Sequence, residues 1–227
     1  LNTDYKRVMA VSLAKACKSY QAVTMLCRSR YGEDAAILNR SLLSLSTNAH
    51  WIDQNPDQRV SAYVDYNHVL KARYNRKIVE NPGLLGHSQH LVPERKIQQA
   101  ELDLLSKQAK ERHGYNRHGW SGKWLRDMAV ELSMTNDYDS GYTLTSELEH
   151  SSVGSLDEYA SLSSQGAFQV SGGPSPNWVL ESIGFKHLSL IKVTELADRI
   201  LDLGITADLN ALDAEALGLF GAQRLPT

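Results

Sequence analysis

Tyr142, Ser146 and His150 recur at steps of four in a stretch that reads as helix from about Tyr138 to His150, so they stack on one face over about two turns. Glu147 precedes His150 by three residues. From there a carboxylate would hold the imidazole in one tautomer and favour its charged form, an arrangement suited to general acid or base work. A fourth group comes from a distant stretch. After Gly32, the residues Leu38, Leu42, Leu45, Ala49 and Ile52 form one apolar stripe, Ala36 and Leu43 lie opposite with Ile37 beside them, and Arg40 projects among this second set. A helix apolar nearly all round belongs inside a bundle, so Arg40 is expected to be partly buried and to need a carboxylate, carbonyls or an anionic ligand. A structural ion pair and an anion site both meet that need. For His150 the plainer account is a helix-end histidine hydrogen-bonded to backbone or to Ser146.

Tyr115, Arg117, His118, Trp120 and Lys123 mix aromatic rings with positive charge around a loop from His113 to Trp120. Such a mixture can stack bases and meet phosphate, while packing of the loop by Trp120 is the simpler reading. The chain has no CxxC, HExxH, GxSxG, Walker phosphate loop or GxGxxG. His87 with His90, and His113 with His118, read as surface loops rather than ligand pairs, so neither a metal nor a cofactor is expected. Cys17 and Cys27 are separated by about 15 Å of rise along one helix, too far for a disulfide, and are expected as reduced core residues.

The elements that must position these groups follow from composition and periodicity. The 227 residues carry 24 Lys+Arg against 26 Asp+Glu, with 42% apolar and 22% charged residues, which excludes disorder as the default and needs no disulfide staples. A net charge of −2 removes the broad electrostatic footprint of a duplex-DNA binder. No run approaches the roughly 18 to 20 apolar residues of a membrane span, and the first residues lack the design of a secretory signal. A cytoplasmic protein is expected, although the sequence opens at Leu1 without Met and a removed segment stays open.

Helical spacing predicts a first helix from about Tyr5 to Arg30 and a second from Gly32 to Gln54 with Glu33 and Asp34 in its acidic first turn. A third opens on Asn55 as N-cap and Pro56, ending before Asn81-Pro82-Gly83. Residues Leu84 to Leu91 read as a loop, and Pro93-Glu94 starts a charged, partly solvent-facing fourth helix that runs through Glu111. Ser121 is expected to cap a helix carrying Trp124, Leu125, Met128, Ala129 and Leu132. After the 138–150 helix, a Ser/Gly-rich stretch over 151–176 is expected to be flexible and without strands. A last core helix spans 177–203, stopped by Gly204, and 206–222 forms an amphipathic tail able to dock on its own bundle or on a partner. The prediction is an all-α multi-helix bundle in a single domain, with its core over about 5–150 and 177–203.

Several of these segments resemble the helical, mostly bacterial family catalogued as domain of unknown function 5677. The resemblance rests on Asn39-Arg40-Ser41-Leu42-Leu43 with Trp51-Ile52 downstream, on Tyr63 to Tyr66, on Trp120-Ser121-Gly122 with Trp124-Leu125, and on Tyr142, Ser146 and His150. Ser44 stands where the family usually places a glutamate. A more distant similarity is to the HEPN (higher eukaryotes and prokaryotes nucleotide-binding) superfamily, helical bundles that often act as metal-independent ribonucleases in defence systems. Their motif of Arg, four to six residues, then His is absent ahead of His150, while Arg112 and His118 fit the spacing within a loop. These resemblances imply a conflict-system or regulatory protein with a pocket formed by Arg40, Tyr142, Ser146 and His150, with Glu147 beside it. Tyr66, Trp120 and Arg117 join Tyr142 as ligand contacts in that expectation. The pocket would bind RNA or a nucleotide and cleave it without a metal, His150 taking the ribose 2′-hydroxyl proton and Arg40 stabilising the phosphate. The alternative is a non-enzymatic helical interaction module, engaging a protein partner or a second copy through helical faces, whose polar cluster only fixes bundle register.

Overall fold

A computed structural model of the chain describes residues 3–149, 159–162 and 166–222. It is all-helical in architecture: α1 (Thr3–Arg28), α2 (Gly32–Asp53), α3 (Pro56–Glu80), a 3-10 segment (Pro82–Leu91), α4 (Val92–His113), α5 (Leu125–Glu131), α6 (Thr135–Asp137), a π-helical turn (Tyr138–Thr143), α7 (Leu144–Glu149), α8 (Val179–Leu201) and α9 (Thr206–Ala222). Two three-residue strands, β1 (Ala160–Leu162) and β2 (Phe168–Val170), pair antiparallel with Ser161 opposite Gln169. The backbone divides into two compact units, residues 1–51 with 125–227 and residues 52–124.

In the first unit α1 packs along α8. The buried positions of α1, including Tyr5, Val8, Ser12, Ala16, Val23 and Cys27, keep to one helical stripe, as a helix with one covered face requires. By contrast α2 buries Ala35, Ala36, Asn39, Leu42, Leu43, Leu45, Ser46, Thr47, Ala49, Trp51 and Ile52, which spread well over half-way round the helix and leave Asp34 and Ser41 exposed on the remaining side. Ala16, Val23, Cys27, Ala35, Leu42, Leu45 and Val193 form a shared core. Gly32, where α2 begins, is the tightest point. A Cβ there would overlap the carbonyl oxygen of Asn177 and stand 2.6 Å from the Val179 nitrogen, so only glycine admits the start of α8. Hydrogen bonds tie the same junction together: Ser175 N donates to Arg30 O at 2.6 Å, Ser182 Oγ to Gly32 O at 3.2 Å, and Asn39 Nδ2 to Ser182 O at 2.9 Å.

In this unit α8 ends with Asp202 in the left-handed conformation rather than at Gly204, which takes the same region two residues later. Asp198 then accepts hydrogen bonds from Ile205 N at 3.1 Å and Thr206 Oγ1 at 2.5 Å, fixing the entry to α9. The tail docks on its own unit, with His187 Nε2 3.2 Å from Asp213.

The second unit is an antiparallel hairpin of α3 and α4 with the loop that follows. Here Pro56 opens α3 as expected, but Asn55 does not cap through its side chain and donates instead to Gln58 Oε1 at 3.1 Å. Gly114, in the left-handed region, terminates α4.

Four local expectations are corrected. Cys17 is exposed and only Cys27 is buried, because position 17 falls off the covered stripe of α1. Leu84 to Leu91 is wound as 3-10 helix rather than open loop. Ser121 makes a local turn, its hydroxyl meeting Lys123 N at 3.2 Å and Lys123 O at 3.0 Å, and α5 begins only at Leu125. The β1–β2 pairing lies where no strand was read, since segments of three residues are too short to show an alternating pattern.

Candidate functional site

Arg40 sits on α2 and its side chain is 11% exposed. Its Nη1 ion-pairs with Glu149 Oε2 at the end of α7, and its guanidinium carbon lies 4.1 Å from the centroid of the Tyr142 ring. Tyr142 in turn stacks on Tyr138, with centroids 4.8 Å apart and planes at 16°. The result is a three-layer stack of guanidinium, phenol and phenol, closed on one side by a carboxylate. Burial and the neighbouring Tyr142 push the Tyr138 hydroxyl pKa up, against the opposing pull of Arg126 and Arg40. Arg40 Nε is buried with no hydrogen-bond partner among the described residues.

The backbone that presents Tyr142 is not a regular helix. Residues Tyr138–Thr143 form a π-turn between α6 and α7. Gly141 is buried in this turn, and a Cβ there would stand in ordinary contact, 3.4 Å from Leu43 Cδ2 and 3.6 Å from Phe185 Cδ1, so the turn packs against α2 and α8. Thr145 Oγ1, fully buried, donates to Gly141 O at 2.6 Å and takes up a carbonyl that the wider turn frees. Lys192 on α8 donates to Asp137, fixing the other end of the turn. A cavity of about 30 Å³ lies between Asn39, Leu43, Gly141, Phe185 and Lys192, room for about one water and not for a nucleotide.

Of the residues singled out from the sequence, Arg40 and Tyr142 are brought into contact, and Ser146 is half-buried on α7. Glu147 belongs to α7 but its side chain lies outside the described ones, and His150 lies outside the described residues. Glu149 is the carboxylate that sequence reasoning missed. Arg40 signalled a need for a carboxylate, carbonyls or an anion, but the partner is 109 positions away and nothing in its own spacing marks it.

Tyr66, Trp120 and Arg117 belong to the second unit, apart in the chain from Arg40 and Tyr142. Trp120 meets Tyr63 edge-on at 4.9 Å, Tyr66 meets Tyr115 edge-on at 5.0 Å, and Arg117 Nε donates to His118 Nε2 at 3.2 Å. Trp120 therefore packs the loop onto α3. Below it stands a polar group not foreseen: Asp65 Oδ2 accepts from Arg112 at 2.7 Å and from His113 Nε2 at 2.9 Å, and Tyr115 donates to Ala62 O at 2.6 Å. Burial alone would raise the Asp65 carboxyl, but the bond from His113 and the charge of Arg112 outweigh it and hold it below the usual carboxylate range. Burial, reinforced by Asp65, drives the Tyr115 hydroxyl up to about 12, so it stays protonated and serves as a donor. Arg112, whose spacing to His118 fitted the ribonuclease motif, is thus engaged with Asp65, while His118 lies edge-on to Trp124 at 4.3 Å. Among the described residues no three His, Cys, Asp or Glu side chains converge as metal ligands, and no helix is long and apolar enough to cross a membrane.

Fold and site together define an all-helical protein in which the buried cation of the first unit is matched by its own chain. The chain belongs to the family of unknown function DUF5677, whose sequence profile matches residues 6–167 and so spans every segment on which the resemblance rested. No curated protein and no solved structure matches it.

Proposed function

We propose that the protein acts by binding a partner through its helical surfaces and that the Arg40 cluster is a structural lock rather than a reaction centre. One observation carries this reading: the Arg40 guanidinium already holds a carboxylate, Glu149, and an aromatic face, Tyr142, which are the two things an anionic substrate would have to displace. A cation matched in this way fixes how α7 and the π-turn sit on α2, a use of buried charge that specifies packing.

A second reading has its own support. Arg40 Nε lacks a described partner, and Glu149, which holds Nη1, immediately precedes His150 in the chain. In that reading the protein is a metal-independent ribonuclease of a defence system, His150 is the base, and Arg40 meets the phosphate once Glu149 yields. Incubation with total RNA separates the two. The binding reading expects the same RNA profile from wild type, Arg40→Ala and His150→Ala, with a lower Tm for Arg40→Ala. Cleavage by the wild type that both substitutions abolish and Glu149→Gln accelerates overturns it.

A further inference from the structure

The second unit carries a groove of about 680 Å³ between α3 and α4 that neither the Arg40 cluster nor the Asp65 group uses. Its α3 wall is Asn67, Leu70, Lys71, Tyr74 and Lys77, at helical steps of three and four along about 15 Å of rise, with Arg73 beside them. Arg95, Gln98 and Leu102 form the α4 wall with the same periodicity. Four cations thus converge, and among the described residues no carboxylate lines the groove. None of Lys71, Arg73, Lys77 and Arg95 makes an ion pair among the described residues, although nearby Arg76 is taken by Asp103 at 2.6 Å. Between the walls, buried Asn75 donates to Arg95 O at 2.8 Å and to Gln99 Oε1 at 2.9 Å, so the α4 turn that carries Arg95 is fixed against α3.

Unpaired like charges held side by side repel one another and are kept at a cost in stability, which a polyanion relieves. The aromatic content decides among polyanions. Tyr74 is 70% exposed in the middle of the cationic wall, and its ring stacks on no described neighbour. An exposed ring flanked by cations offers a base a face to stack on and its phosphates a charge, the combination by which single strands are held without base-specific readout. A duplex hides its base faces, and a lipid headgroup has none.

We propose that the α3–α4 groove binds a single-stranded oligonucleotide, its phosphates held by Lys71, Arg73, Lys77 and Arg95 and one base stacked on Tyr74. This rests on the reading that the protein works by binding. The two are tested separately, because the groove and Arg40 share no residue.

The test measures fluorescence anisotropy of a labelled 2′-O-methyl-uridine 12-mer, which lacks the 2′-hydroxyl needed for cleavage, against the full chain at several salt concentrations. The logarithm of the association constant is expected to fall with log salt at a slope of about −3, and at about −1 for Lys71→Gln/Arg73→Gln/Lys77→Gln, which binds about tenfold or more weakly. Tyr74→Ala is expected to weaken binding about fivefold at unchanged slope. These positions are exposed, so a Tm no lower than that of the wild type certifies the fold of each variant. The proposal is overturned by wild-type binding that the triple variant retains, by no binding at low salt, or by inorganic polyphosphate and anionic vesicles competing as well as the oligonucleotide with Tyr74→Ala silent. Failure of the lock reading would show instead in the RNA-cleavage assay, which groove substitutions do not touch.

Discussion

Arg40 in the first unit and the Lys71, Arg73, Lys77, Arg95 quartet in the second carry the same charge under opposite conditions. Arg40 is withdrawn from water and is matched by Glu149 at Nη1 and by the Tyr142 face, whereas the quartet lines an open groove with no ion pair among the described residues. The difference follows from solvation. A guanidinium cannot leave water without a counter-charge, so its position is fixed by whatever supplies one. Cations left in water are screened and carry no such obligation, which leaves them available to an incoming anion. The Asp65 group is intermediate, a carboxylate shielded enough to need Arg112 and His113 yet built on the same α3–α4 hairpin as the quartet.

The largest effect that bears on this contrast is at Gly32, which begins the helix that carries Arg40. Gly32→Ala drives a methyl group into the Asn177 carbonyl, and neither backbone segment can give without unseating α8. A loss of at least about 3 kcal/mol in chemical denaturation is expected. A smaller loss would mean that the junction is softer than its packing implies. Next in size is Arg40→Ala, expected to cost about 2 to 3 kcal/mol, because it removes a well-buried side chain and uncovers the Tyr142 face. Glu149→Gln should cost about 1 to 2 kcal/mol, less than Arg40→Ala, since it removes the counter-charge of Arg40 but leaves an amide oxygen that can still accept from the guanidinium and the Tyr142 face beneath it. If Glu149→Gln costs nothing, the matching is not what holds Arg40.

Asp65→Asn should remove about 1 to 2 kcal/mol at neutral pH by weakening the bonds from Arg112 and His113. Its pH dependence gives a sharper check. The folded Asp65 carboxyl lies below its unfolded value, so its contribution is complete above the unfolded carboxylate range and is lost as pH falls through the lowered folded value. Wild-type stability should therefore fall more steeply than that of Asp65→Asn as pH drops below the ordinary aspartate value of about 3.9. Parallel curves would show that Asp65 is not held by charge.

How much of this was legible in the sequence depended on whether the deciding partner was local. The partial burial of Arg40 and its need for a carboxylate, carbonyls or an anion could be read from the apolar residues around it on α2, because helical periodicity is a local property. The identity of that carboxylate could not, since it is set by how α7 meets α2. Glu147 drew attention only through its spacing from His150. The π-turn escaped because a segment of six residues has no periodicity of its own to read, and its packing partners Leu43 and Phe185 lie far away in the chain. The basic run from Lys71 to Lys77 stood in plain view, but a charged run on a helix reads as a solvated face until Arg95, 24 residues after Lys71, closes the groove opposite. Asp65 and His113 were likewise ordinary residues of two separate helices before the hairpin paired them.

The smallest expected effect separates a functional surface from a merely solvated one. If the quartet is kept unpaired for a ligand, it carries a repulsion that an ordinary solvated face would avoid. Lys77→Gln should then raise stability by a few tenths of a kcal/mol in low salt, the scale of a like-charge pair on a helix surface. The gain should vanish near 0.5 M salt, where screening shortens the reach of each charge to about 4 Å. The same substitution lowers oligonucleotide affinity, so stability and binding move in opposite directions, the sign expected of residues held for function rather than fold. A loss of stability in low salt would place Lys77 in an attractive network instead, and the contrast between a matched and an unmatched cation would end there.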